Sequence, residues 1–129
     1  MSAISSIRSF GIPERDWQNV LQRFVGRHRG WQVQLETFDR ETGERVTSSE
    51  SALHSLMLDL EDQKNPRINV TVLSGNKEIK YILFRPSQMV LTTSRQTGDE
   101  ALTIESLNTE TTIRLLGRSS EVKPEKKAS

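Results

Sequence analysis

The side chains able to do chemistry are few and poorly spaced for it. His28 and His54 are the two histidines. No His-Glu-x-x-His sets a pair on one helix face to hold zinc, and no Gly-x-Ser-x-Gly elbow presents a serine nucleophile. The chain has no cysteine, which excludes disulfides, thiolate metal sites, cysteine nucleophiles and iron–sulfur clusters. Asp59, Glu61 and Asp62, with Glu50 upstream, are the densest carboxylate group. Such a group can bind a hard cation or do acid–base work. The calcium-loop spacing is missing, however, and the flanking Asn65-Pro66 reads as an ordinary soluble loop. Seven glycines are scattered singly, with neither Gly-x-Gly-x-x-Gly nor a P-loop to cradle phosphate. The expectation is a protein without catalytic residues, metal or cofactor.

A basic cluster is the remaining candidate. Arg23 and Arg27 stand four apart on one helix face, and His28 and Arg29 extend the patch, so these four form a candidate binding surface. A cation in the last turn of a helix is also stabilising on dipole grounds alone. Nucleic acid would need aromatic platforms beside the cations. The chain has seven aromatic residues, and Trp17, Phe24 and Trp31 already belong to apolar stripes.

Composition describes a small soluble globular domain. The 129 residues suit one domain. Apolar residues are 33%, mean hydropathy is −0.58, and no apolar run reaches membrane-spanning length. The 18 basic and 17 acidic residues nearly cancel, unlike a polycationic nucleic-acid binder. Charge is uneven along the chain. Residues 1–30 carry five basic and two acidic side chains, whereas residues 31–66 carry three and eight. That asymmetry suits either internal complementarity or association between copies. The N-terminus lacks a continuous apolar core of the secretory type, so the expected compartment is the cytoplasm. Asn69-Val70-Thr71 matches a glycosylation acceptor but lies within a strand-like run.

The elements follow from periodicity. Residues 1–12 read as a flexible leader. Pro13 opens a helix, with Glu14 and Asp16 at its positive end. Trp17, Val20, Leu21, Phe24 and Val25 then form one apolar stripe. Gly30 sits where a left-handed cap belongs, so the spacing predicts a helix over 13–28. Period two takes over at Trp31, Val33 and Leu35. A weaker extended piece covers Arg45–Ser48. Leu56, Leu58 and Leu60 alternate, although Leu53–Leu60 would also suit a short helix. Ile68, Val70 and Val72 lead through the turn Ser74-Gly75-Asn76-Lys77 into Ile79, Tyr81 and Leu83, with Ile82 and Phe84 on the other face. Met89–Thr93, Leu102 with Ile104, and Ile113 with Leu115 complete the pattern. Residues 118–129 have almost nothing to bury and read as a disordered tail. Short connections require antiparallel pairing. The fold class expected is α+β, mainly β, with one domain over 13–117. In it the N-terminal helix packs on an antiparallel sheet of six to seven short strands, open or closed into a small barrel of the Sm-like or SH3-like type.

Ile12-Pro13-Glu14-Arg15-Asp16-Trp17, Phe24 and His28-Arg29-Gly30-Trp31-Gln32-Val33 resemble the opening of a small bacterial family of domains of unknown function. The later Ile79-x-Tyr81-Ile82, Pro86-x-x-Met89-Val90 and Ala101-Leu102-x-Ile104-Glu105-Ser106 pieces are similar to it as well. The resemblance spans residues 12–117 and implies the same helix, Arg-Gly-Trp junction and strands, with no activity attached. The function expected is a non-enzymatic binding or assembly module whose partner is a second copy or another protein. The alternative is a nucleic-acid-binding small barrel using the basic helix face.

Overall fold

A computed structural model describes residues 7–48, 51–96 and 98–118. Pro13, extended at φ −61°, is followed by a 3₁₀ turn over Glu14–Asp16, and helix α1 covers Trp17–His28. The predicted stripe is the buried one: Trp17, Leu21, Phe24 and Val25 all face the core. Gly30 adopts φ +87°, which an L side chain reaches only with strain. Its N–H donates to the carbonyl of Leu53 over 2.8 Å, which ties the helix end to the sheet.

Nine strands follow the helical period's end or precede it. They are β1 (Ile7–Gly11), β2 (Trp31–Asp39), β3 (Arg45–Thr47), β4 (Ser51–Asp59), β5 (Arg67–Ser74), β6 (Lys77–Phe84), β7 (Gln88–Ser94), β8 (Gly98–Glu105) and β9 (Thr109–Arg118). All pairings are antiparallel, in the order β1-β7-β8-β9-β2-β4-β5-β6, with β3 beside β2. The expected six to seven strands are therefore nine among the described residues. Ile7–Gly11, read in the sequence as part of a leader, pairs with β7, where its neighbour supplies the hydrogen bonds that no local pattern signals. The tail beyond Arg118 lies outside the described residues.

β4 is a strand and not a helix. A bulge lies between Leu53 and Ser55, so Leu53 pairs Val72 and Ser55 pairs Thr71, leaving His54 unopposed. That extra residue lets Leu53 and Leu56, three apart, both point inward, where strict alternation would separate them. The β5–β6 hairpin turns on Gly75-Asn76 with Gly75 at φ +65°, the position a tight primed turn reserves for glycine.

Of the two arrangements expected, an open sheet or one closed into a small barrel, the structure takes the open one. Among the described residues no ladder joins the sheet's edge strands β1 and β6. It nevertheless curls. β6 and β7 lie six strands apart, roughly 29 Å in a flat sheet at ~4.8 Å per strand. The step from Phe84 to Gln88 can cover only about 14 Å fully extended. The two ends must therefore approach each other. A backbone bond joins them there, from the Leu107 N–H to the Phe84 carbonyl, while Arg85 N–H to Pro66 and Ser87 N–H to Glu105 anchor the connecting segment to each end. The inner face holds Val33, Leu35, Leu53, Leu56, Ile68, Val70, Val72, Leu83, Met89, Leu102, Ile104 and Ile113, in one cluster with the helix stripe. Each such side chain contributes roughly 1.5–3 kcal/mol when fully buried.

Candidate interaction surface

The basic helix end is divided by the fold. Arg27 extends a guanidinium to Asp99 at the start of β8, Nη1 to Oδ2, over 2.7 Å. The Asp99 side chain is only 8% exposed. His28 is buried, its Nδ1 2.8 Å from the carbonyl of Phe24, so that nitrogen carries the donated proton. The imidazole packs against Phe24 (centroids 4.9 Å, tilted) and against Trp31 (4.6 Å, T-shaped), with Nε2 3.9 Å from Asp99 Oδ2. His28 thus pins helix to strand. Arg23 and Arg29 remain exposed. The outward face of α1, with Asn19, Gln22, Arg23, Gly26 and Arg27, borders a wide shallow depression.

The other candidates are dispersed. His54 is exposed at the bulge. Asp59 accepts from the Glu61 amide and pairs with Arg67 at 2.9 Å; the amide first, then the arginine, hold its carboxyl below the usual range. Asp62 is likewise lowered, by the Asn65 side chain first and the Lys64 amide next. These carboxylates make turns, and no cluster of three potential metal ligands forms among the described residues.

The most unusual surface lies where the sheet ends meet. Ile82, Phe84 and Leu107 are 46%, 50% and 57% exposed. Ile82 and Phe84 point outward because β6 alternates and Leu83, between them, is core. Leu107 sits in the β8–β9 turn and is brought beside Phe84 by its own amide, bonded to the Phe84 carbonyl at 2.8 Å. These side chains wall two hollows. One, about 370 Å³, adds Asp62, Asn65, Arg67 and Arg85. The other, about 310 Å³, adds Asp39, Glu41, Ser106, Asn108 and Thr109. The two share Phe84 and Leu107 as a common ridge. Large apolar side chains grouped on a surface and rimmed by polar residues mark interaction sites.

Sequence reasoning placed Ile82 and Phe84 on the outer face of β6 but did not single them out. Two bulky apolar residues on the otherwise polar face of an edge strand were the available signal. Leu107 carried none, since only the long-range approach of β6 to the β8–β9 turn gives it neighbours. Comparison with family models, with curated proteins and with solved structures yields no match.

Proposed function

We propose that the chain is a non-enzymatic binding or assembly module that works by contact through the face around Phe84 and Leu107. The observation that carries this reading is the ridge of large apolar side chains left in water between two polar-rimmed hollows. Leaving such area exposed forgoes about 25 cal/mol per Å², which a docked partner recovers. Retention of proteins from an extract of the source cells by immobilised wild-type chain and by a Phe84→Glu variant tests it. Retention lost in the variant at unchanged melting temperature supports the reading, and equal retention contradicts it.

A second reading keeps nucleic acid as the partner. It is favoured by Arg23 and Arg29, exposed cations that meet no acidic partner among the described residues. With Arg27 engaged by Asp99 and His28 buried, two of the four proposed residues serve the fold instead. This reading requires affinity that falls steeply with salt and weakens in Arg23→Ala.

A further inference from the structure

We propose that the occupant of the Phe84–Leu107 face is a second copy of the same chain, docked about a two-fold axis through the ridge, with Arg85 of each copy against the partner's Glu41. The proposal rests on the reading above that this face is a binding surface.

The charge arrangement points to self-docking. The hollow on one side of the ridge carries Arg67 and Arg85 with a single acid, Asp62. The hollow on the other side carries Asp39 and Glu41. Most of these charges are engaged. Arg67 pairs with Asp59, Asp62 holds its turn, and Asp39 accepts from the amides of Glu41 and Thr42. Arg40, nearby, is bonded to the Ser106 carbonyl. The side chains of Arg85 and Glu41 are exposed and meet no partner among the described residues. One unengaged cation and one unengaged anion therefore flank one apolar ridge. An isologous interface puts each patch against itself, so a two-fold axis through the ridge exchanges the flanks. Both ion pairs form at once, and the apolar ridges meet between them, as hydrophobic centre and polar rim require.

Backbone geometry adds a separate argument. Arg85 has φ +52° and is the sole non-glycine residue with positive φ among those described. Glycine would take that conformation freely, whereas a side chain there carries strain, and strained residues gather at functional positions. The contact is between side chains and not by strand addition. Lys77, Glu78 and Lys80 stand exposed on edge strand β6, and the Phe84 carbonyl is already taken by Leu107.

Size-exclusion chromatography with light scattering tests the arrangement through Arg85→Glu, Glu41→Arg and an equimolar mixture of the two. The wild type is expected at twice the 14.7 kDa chain mass. Each single reversal sets like charges together twice per dimer and weakens association by about tenfold or more. In the mixture both cross-pairs are opposite in sign, so the heterodimer returns, which also shows both variants are folded. A dimer whose mass ignores the reversals, or a mixture that stays monomeric, overturns the arrangement. A wild type that is monomeric throughout overturns self-docking; Phe84-dependent retention of other proteins would then leave the binding-face reading standing alone.

Discussion

The amide of Leu107 donates to the carbonyl of Phe84 across 2.8 Å, joining the β8–β9 turn to the last residue of β6. These positions belong to opposite halves of the strand order. Their bond exists because three residues, Arg85, Pro86 and Ser87, must carry the chain between distant strands. The same constraint that curls the sheet therefore builds the exposed ridge. Fold and candidate surface have one cause.

Trp17 is 4% exposed, and its Nε1 donates to the Ile12 carbonyl at 2.8 Å. Trp17→Ala removes the ring from the core and leaves a void, so it is expected to destabilise by about 3–5 kcal/mol. Chemical denaturation measures this. A midpoint equal to the wild type would contradict the burial.

Thr111 is 2% exposed, and its Oγ1 has no hydrogen-bond partner among the described residues. Thr111→Val keeps the shape and the strand preference while deleting the unmatched hydroxyl. Stability should rise by about 1 kcal/mol. A thermal midpoint that drops instead would show that the hydroxyl is satisfied.

Glu36 on β2 meets Arg45 of β3 at 3.0 Å and Arg114 of β9 at 3.3 Å. Arg45 chiefly, and Arg114 after it, hold the carboxyl below its ordinary value against a smaller opposing effect of burial. The folded value is thus below the unfolded one. The resulting stability is complete above the unfolded value and is lost as pH falls through the folded one. Melting temperatures across an acid series should decline less steeply for Glu36→Gln than for the wild type. Parallel declines would remove Glu36 as a contributor.

Arg27 and His28 are adjacent but should respond differently. The Arg27 side chain is 52% exposed, and screening limits its bond to Asp99 to about 1 kcal/mol or less. His28→Ala empties a site against Phe24 and Trp31 and costs more, on the order of 2–3 kcal/mol. Denaturant midpoints of the two alanine variants compare them directly, and equal losses would contradict the division of roles.

The helix was legible because its signals are local. Trp17, Leu21, Phe24 and Val25 share a face by spacing alone, and Gly30 announces the cap. The hairpin at Gly75-Asn76 was legible for the same reason. The bulge at His54 was not, because a bulge is a property of two strands and only β5 reveals which residue is extra. β1 was missed because its five residues are all exposed and show no alternation. Of the candidate surface, the outward parity of Ile82 and Phe84 could be read, whereas Leu107 and Glu41 reach the ridge only through the curl of the sheet.

On the proposed reading, the ridge at Phe84 is covered in the working protein. The most direct measurement replaces Phe84 with a photo-crosslinking phenylalanine analogue and irradiates the protein in its source cells. Val46, 62% exposed and lining neither hollow, serves as the control position. Defined protein adducts at position 84, in excess of those at 46, are predicted, including adducts to this same chain. Equal and diffuse labelling at the two positions would contradict the account.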